Sequence, residues 1–305
     1  MTNIIQQVLN ALQLGSVYAL ICLGYTMVYG VLRLINFAHG DIFMVACYIS
    51  FFATTYFLSQ GHLAPTTTFV LGMMLAMMLT ALLAVVIERV AYRPLRNAPR
   101  VSAVITALGI GIFLENFTLA ILGPEPRHMP ALVPAVNYDA GGVAVSSVQL
   151  VTILVSVLLM LLLDAAVMKT KTGMAMRAVS FDRTVAPLLG VPVNRIISVT
   201  FALGAAVAGA GGILYGQAYP IIDPYMGIRI GWWAFIAAVV GGIGNVRGAM
   251  IGSFILGFIE IFTPVVLPSS TYRDFVAFSI LLIFLMFRPT GILGQPVAKK
   301  VSGRG

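Results

Sequence analysis

The chain has 305 residues, of which 60% are hydrophobic and only 9% charged, and its formal net charge is +8. Its mean hydropathy is +1.00. Soluble domains carry about 25% charged residues, so this composition excludes a soluble globular protein. We attribute the positive charge to the loops of a membrane protein, and we expect no nucleic-acid partner.

The apolar residues form eight or nine long runs. A membrane-spanning helix needs roughly 20 apolar residues, whereas barrel strands alternate in short segments of about ten. The sequence therefore predicts an all-α polytopic bundle in the lipid bilayer, with about 8–9 transmembrane segments, some of them short or broken. We expect residues 1–305 to form one transmembrane domain. The predicted spans are 8–31, 41–59, 67–88, 101–122, 148–168, 196–219, 231–244, 249–267 and 275–288.

The basic residues predict the orientation. With the N-terminus outside, 15 of the 18 Lys and Arg residues fall inside, and only Arg127, Arg229 and Arg273 fall outside. Cytoplasmic loops carry an excess of Lys and Arg, so we expect an external N-terminus and a cytoplasmic C-terminus. The segment 169–195 is then a cytoplasmic loop, and 123–147 is an external loop. The inside set is Arg33, Arg89, Arg93, Arg96, Arg100, Lys169, Lys171, Arg177, Arg183, Arg195, Arg247, Arg288, Lys299, Lys300 and Arg304.

Two glycine-containing segments interrupt the apolar pattern. The first is GVLRLINFAHGD, and the second is the run 231–244, which as a helix extends over only about 21 Å of a roughly 30 Å hydrocarbon core. Paired, broken helices at membrane depth indicate a transport pathway. The alternative is that both breaks are tight cytoplasmic turns between ordinary helices. The candidate pathway residues in the breaks are Asn36, His39, Gly40, Gly241 and Gly242.

Glu115 and Glu260 lie within apolar runs. Ionisable groups inside a membrane are costly and are functional candidates by default, so Glu260 joins the candidate pathway residues. The alternative for both glutamates is a structural hydrogen-bond partner that faces the interior of the bundle. Glu88 and Arg96 instead fall where a span meets the cytoplasm, which is typical of topology anchors.

Patterns for catalysis or metal binding are absent from the sequence. The three histidines are scattered, and Cys22 and Cys47 lie in apolar runs without disulfide or metal spacing. There is no G-x-x-x-x-G-K-[ST] phosphate loop. We therefore expect a protein that is not an enzyme, with no catalytic residue, metal site or cofactor of its own. An intramembrane enzyme has no support in the sequence.

Five segments together resemble the inner-membrane permease subunit of branched-chain amino acid ABC importers. The most specific are INFAHG and G-x-x-M-R-A-x-x-x-D, and the similarity extends over nearly the whole chain. The resemblance implies residence in a bacterial inner membrane and import of branched-chain or other apolar amino acids by alternating access. The segments are 15–41, 88–96, 173–193, 200–216 and 234–260.

The resemblance also implies partners: a second, paralogous permease subunit, two cytoplasmic ATPases that bind ATP and Mg²⁺, and a periplasmic substrate-binding protein. Segment 173–193 is then a cytoplasmic coupling helix that docks on an ATPase. Related permeases serve urea or short amides, so these stay open as substrates. An alternative of another class is an ion-coupled secondary carrier that uses Glu115 or Glu260. The implied coupling residues are Gly173, Met176, Arg177, Ala178, Asp182, Arg183, Ala186 and Gly190.

The chain departs from the family pattern in two places. Pro187 lies in the coupling segment, where a residue compatible with a continuous helix is usual. Since proline disrupts a helix interior, we expect Pro187 to kink the coupling helix or to mark its end. Asn245, Val246 and Arg247 replace a more usual Ser-x-Pro in the second break, so the resemblance does not specify its local geometry.

Overall fold

The computed structural model describes residues 2–96, 98–139, 143–267, 269 and 271–294. Lys299, Lys300 and Arg304, which the sequence predicts to be on the inside, lie outside the described residues. Within the described part, ten α-helices account for most of the chain. They are α1 (Thr2–Leu32), α2 (His39–Ser59), α3 (Pro65–Ile87), α4 (Arg100–Leu122), α5 (Ser147–Lys169), α6 (Lys171–Phe181), α7 (Val193–Ala218), α8 (Met226–Gly241), α9 (Val246–Val266) and α10 (Tyr272–Phe287).

Seven helices of the described residues are long and apolar enough to cross a membrane, and α8 is a shorter apolar helix. The prediction of a polytopic α-helical bundle is confirmed. Each predicted span overlaps one helix, although α8 begins five residues before the predicted span 231–244 and ends three residues before its end. The remaining helix, α6, falls in the loop predicted between the fifth and sixth spans. Span boundaries follow the apolar runs because bilayer thickness sets their length.

Helix α1 lies at the centre of the bundle. Every residue from 17 to 23 is buried, as expected for a helix that is apolar on all sides. Glycines permit the close packing: a side chain on Gly15 would lie 2.9 Å from the Cα atom of Phe254, and one on Gly257 would lie 2.7 Å from the Cα atom of Gly15. Small residues that let backbones approach are typical of helix contacts in membranes, and here they join α1 to α9.

Peripheral helices expose apolar faces. On α4, the side chains of Ile105, Ile112 and Phe117 are all exposed, and α3, α5 and α10 carry similar residues. Continuous exposed apolar surface of this kind marks contact with lipid or with another protein. The bundle therefore has a protein-packed centre and an apolar outer surface.

The loop between α4 and α5 carries short strands. Strand β1 (Arg127–His128) pairs with β4 (Ile221–Ile222), which follows α7, and β2 (Asn137–Asp139) pairs with β3 (Ala144–Ser146). The side chain of Gln217 holds this loop to the end of α7. Its Oε1 accepts hydrogen bonds from the backbone N–H groups of Leu132 at 2.8 Å and Val133 at 3.3 Å, and its Nε2 donates to the carbonyl of Pro130 at 2.8 Å.

Replacing Gln217 with leucine is expected to release this loop. Leucine keeps the volume but leaves two N–H groups without their acceptor, at a cost of about 1–3 kcal/mol for each one that stays buried. Limited proteolysis with thermolysin should then cut the chain near residues 130–133 faster than in the wild type. Gln60→Leu, at an exposed glutamine that follows α2, is the control. Equal cleavage of the two variants would contradict the anchoring role of Gln217.

Candidate functional site

The first break lies inside the bundle. Helix α1 ends at Leu32, and residues 33–38 are not helical before α2 begins at His39. A side chain on Gly24 would collide with the imidazole ring of His39, so α2 begins level with Gly24, about 12 Å before the end of α1. Arg33, with φ of 56°, adopts the left-handed conformation at this reversal. The chain therefore doubles back beside α1, and a tight turn does not describe this break.

Buried polar side chains flank the first break. Asn36 and His39 are both buried. The hydroxyl of Tyr92 donates a hydrogen bond to Asn36 Oδ1 at 2.6 Å, and the His39 ring packs edge-on against Tyr25 with centroids 5.0 Å apart. Irregular backbone at membrane depth requires such partners from the protein. These contacts hold Asn36 and His39 in the protein interior, whereas Arg33 at the start of the break is exposed.

Gly40 brings the start of α2 against α8, backbone to backbone. A side chain on Gly40 would lie 2.8 Å from the Cα atom of Gly231 and would collide with the carbonyl oxygen of Gly227. A residue larger than glycine has no room at this position without moving one of the helices. The contact places the next residue, Asp41, at the junction of α2, α4 and α8.

A cavity of about 220 Å³ opens at this junction. Asp41 and Glu115 are the residues with a carboxyl group among those that line it, and both are buried. The Asp41 carboxylate lies between two glycine backbones, because a side chain on Gly227 would lie 2.5 Å from Asp41 Oδ1 and one on Gly111 would collide with Asp41 Oδ2. The cavity's aromatic residues are Tyr25, Phe37, Trp232 and Phe235.

The second break is a tight turn. Helix α8 ends at Gly241, and α9 begins at Val246. Gly242 and Gly244 take φ values of 112° and 94°, which are accessible to glycine but strained for other residues. Asn245 caps α9, since its Oδ1 accepts hydrogen bonds at 3.1 Å from the backbone N–H groups of Arg247 and Gly248. The second break therefore agrees with the alternative interpretation, a tight turn between two helices.

The predicted coupling helix, residues 173–193, falls on two elements, which corrects the prediction of one helix that Pro187 kinks or ends. Helix α6 ends at Phe181, and a 3-10 turn follows at Ala186–Leu189. Asp182 makes the connection: its Oδ1 accepts hydrogen bonds from the backbone N–H groups of Thr184 at 2.8 Å and Val185 at 3.2 Å. Pro187 lies in the 3-10 turn, so it neither kinks nor ends α6 as expected. We call residues 171–190 the coupling segment.

One side of the coupling segment packs on the bundle, and the other is exposed. Phe181 is 92% exposed and Leu188 is 83% exposed, although both are large apolar residues. The guanidinium of Arg177 donates a hydrogen bond to the carbonyl of Val167. Of the predicted coupling residues, Gly173, Met176 and Ala186 are buried, Ala178 and Asp182 are half-buried, and Arg177, Arg183 and Gly190 are exposed.

Comparison with known proteins identifies the family. A family model described as "Branched-chain amino acid transport system / permease component" matches residues 7–285. The chain belongs to this family. Its membership and its apolar helices make it a multi-pass membrane protein.

Curated relatives match at full length. The chain is 40% identical over 304 residues to the high-affinity branched-chain amino acid transport system permease protein LivH of Escherichia coli, with 97% of each chain covered. It is 40% identical over 302 residues to BraD of Pseudomonas aeruginosa, covering 97% of this chain and 98% of BraD. Among solved structures, a chain of PsaBC from Streptococcus pneumoniae in complex with Fab aligns with a TM-score of 0.46 and 15% identity, over 92% of this chain and 91% of that chain.

In this family member, the predicted pathway residues fall into three groups. Asn36, His39 and Gly40 do not line the cavity, although their chain neighbours Phe37 and Asp41 do. Gly241 packs against Gly248 beside the second turn, while Gly242 lies in the turn itself. Glu260 belongs to neither group, because its Oε2 accepts a hydrogen bond from the Tyr18 hydroxyl at 2.5 Å and its Oε1 lies 4.0 Å from Arg273.

The departure at residues 245–247 has a structural explanation. Besides the cap at Asn245, the guanidinium of Arg247 makes a two-pronged ion pair with Asp164, from Nε to Oδ1 at 3.2 Å and from Nη2 to Oδ2 at 3.1 Å. The pair joins the start of α9 to α5. The substituted residues therefore maintain a well-defined turn.

Sequence reasoning missed two sets of residues. The first is Asp41 and the aromatic residues around the cavity. Asp41 was recognisable only as a carboxylate that directly follows a break in an apolar run. The second set is the exposed apolar residues of the coupling segment, which the sequence does not distinguish from buried ones. They are Phe181, Leu188 and Leu189.

Proposed function

We propose that this chain is the membrane-spanning permease subunit of an ATP-driven importer that moves branched-chain amino acids into the cytoplasm. Family membership and the two 40% identical full-length relatives support this function. The sequence contains no phosphate loop, so ATP and Mg²⁺ bind to separate ATPase subunits. A second permease subunit and a periplasmic binding protein complete the complex, and the chain itself performs no enzymatic step.

The membrane is the bacterial inner membrane, with the N-terminus outside and the C-terminus in the cytoplasm. This orientation places 15 of the 18 Lys and Arg residues inside, in agreement with the positive-inside rule. The coupling segment then faces the cytoplasm, and the loop between α4 and α5 faces the periplasm. The coupling segment is thereby on the same side as the ATPases, and the loop between α4 and α5 is on the same side as the binding protein.

The exposed apolar side chains of the coupling segment are the observation that carries the proposal. Phe181 and Leu188 lie outside the candidate membrane spans. Exposed apolar residues of this kind mark a protein interaction site, and the neighbouring Arg183 adds a cationic group at its edge. We assign this surface to a cytoplasmic ATPase subunit.

The mechanism is alternating access. Binding of ATP closes the ATPase pair and displaces the coupling segment, and each nucleotide state favours one of two packings of the bundle. The buried residues Met176 and Val179 fix α6 to the bundle, so a displacement of the segment is transmitted to the membrane helices. The glycine contact between α2 and α8 is where two backbones can slide without side chains between them.

ATP-dependent uptake of radiolabelled L-leucine tests this function. The complete complex, with both permease subunits, both ATPases and the binding protein, is reconstituted in proteoliposomes with ATP on the ATPase side. We expect uptake with ATP, and none with a non-hydrolysable analogue or without the ATPases. Leucine uptake by this chain alone that follows a proton or sodium gradient would contradict the proposal and favour an ion-coupled carrier.

A further inference from the structure

We propose that Asp41 binds the ammonium group of the transported amino acid in the cavity between α2, α4 and α8. This inference rests on the proposed import function and names a substrate-recognition residue within it. It begins from an unpaired group: Asp41 is only 5% exposed, yet its Oδ1 has no hydrogen-bond partner among the described residues.

The charges around the cavity favour binding of a cation. Asp41 and Glu115 both line it, and no Lys, Arg or His is among its described lining residues. A buried carboxylate without a counter-charge is strongly unfavourable. Such a group is either protonated or paired with a cation, and since the lining supplies no positive group, our proposal assigns the pairing to a molecule that enters the cavity.

The other walls favour an organic ammonium over a metal ion. Mg²⁺ and Ca²⁺ require about six to eight oxygen ligands, and aromatic rings provide none of them. Aromatic faces attract organic cations and also accommodate an apolar side chain. Trp232 and Phe235 of α8 and Phe37 of the first break supply such faces. The ligand class is therefore a small molecule with one cationic amine and an apolar side chain.

The position of the cavity agrees with a transport site. Gly111, which contacts the Asp41 carboxylate, lies at the middle of α4 (Arg100–Leu122), and therefore near the centre of the bilayer. Transporters commonly place substrate sites at this depth, beside interrupted helices. The first break directly precedes α2, so the Asp41 carboxylate follows an interrupted stretch of backbone at mid-membrane depth.

This chemistry distinguishes between substrates that the family resemblance leaves open. Urea and short amides are neutral and cannot compensate the Asp41 charge. A branched-chain amino acid carries an α-ammonium group beside an apolar side chain and meets both requirements. Under this proposal an amine-bearing substrate fits the cavity, and a neutral one does not.

Tryptophan fluorescence of the full chain in lipid nanodiscs tests the assignment. The chain contains two tryptophans, Trp232 and Trp233, and Trp232 lines the cavity, so a Trp233→Phe background reports on the cavity alone. The probes are isopentylamine, which carries the cation, and 3-methylbutan-1-ol, a neutral molecule of the same shape. We expect the amine to bind at least about ten-fold more tightly, which corresponds to about 1.4 kcal/mol.

Asp41→Asn should remove this preference and leave the alcohol bound as before, which also shows that the cavity remains folded. Glu125→Gln, which removes an exposed carboxylate in the loop between α4 and α5, should retain the preference. The inference is overturned if the unmutated cavity does not prefer the amine, or if Asp41→Asn keeps that preference.

ATP-driven leucine uptake, measured in parallel, separates the role of Asp41 from the importer function. Uptake without amine preference rejects only the role of Asp41, whereas amine preference without uptake rejects only the importer function.

Discussion

Replacing Arg96 with methionine is expected to lower the free energy of unfolding by about 3–5 kcal/mol. Glu88 has no exposed surface. Its Oε1 accepts a hydrogen bond from the Arg96 guanidinium, and its Oε2 accepts one from the Ser198 hydroxyl at 2.6 Å. Methionine fills similar space but leaves the carboxylate buried without its cation, which costs more than the intact pair contributes. Chemical unfolding of the purified chain in detergent, followed by circular dichroism, measures the change.

Two further variants separate loss of the pair from general damage. Arg93→Met removes an exposed arginine from the same region and should change stability by less than about 0.5 kcal/mol. The double variant Glu88→Gln/Arg96→Met removes the unpaired charge and should recover a large part of the lost stability. If Arg96→Met is no less stable than Arg93→Met, or if the double variant recovers nothing, Glu88 does not depend on Arg96.

The same network shows where sequence reasoning reaches its limit. In the sequence, Glu88 and Arg96 are typical of topology anchors at a membrane surface. In the structure they connect the end of α3 to α7, through Ser198 and through Asn194, whose Oδ1 accepts a hydrogen bond from Arg96. The partners are about a hundred residues apart along the chain, so no local pattern indicates them.

The helices themselves were predictable because their cause is local. The thickness of the hydrocarbon core sets the length of an apolar run, and every predicted span overlaps a helix. The first and second breaks, in contrast, look alike in sequence, since both contain glycine beside polar residues. One doubles back into the bundle and the other is a tight turn, and the difference depends on the contact between Gly40 and Gly231, which are distant in the chain.

The intramembrane glutamates illustrate the same limit for the candidate site. The sequence treats Glu115 and Glu260 as equivalent: each is a carboxylate within an apolar run. The structure pairs Glu260 with Tyr18, which agrees with the structural alternative, and places Glu115 at the cavity. Asp41 has a buried carboxylate oxygen without a hydrogen-bond partner among the described residues. Its position depends on glycines from α4 and α8, which leave room for the carboxylate. The pathway roles of the predicted residues remain predictions.

Phe181→Asp is expected to abolish ATP-driven leucine uptake while leaving the permease folded. Because Phe181 is 92% exposed, its ring contributes little to packing within this chain, and an exposed aspartate is tolerated there. In the proposed complex the ring is an aromatic anchor in the ATPase interface. Loss of such an anchor typically costs 2 kcal/mol or more, which weakens association by roughly 30-fold. The measurements are uptake in proteoliposomes and the ratio of ATPase to permease after co-purification.

Two controls isolate the apolar contact from the added charge. Phe181→Leu keeps an apolar side chain and should retain most of the uptake. Thr66→Asp introduces the same carboxylate outside the coupling segment, at an exposed position in the first turn of α3, where the helix dipole favours it, and should retain both uptake and association. An unfolding midpoint equal to that of the wild type shows that Phe181→Asp is folded. If that folded variant still co-purifies with the ATPases and transports leucine, residues 171–190 do not provide the coupling surface, and the energy of ATP hydrolysis enters the bundle elsewhere.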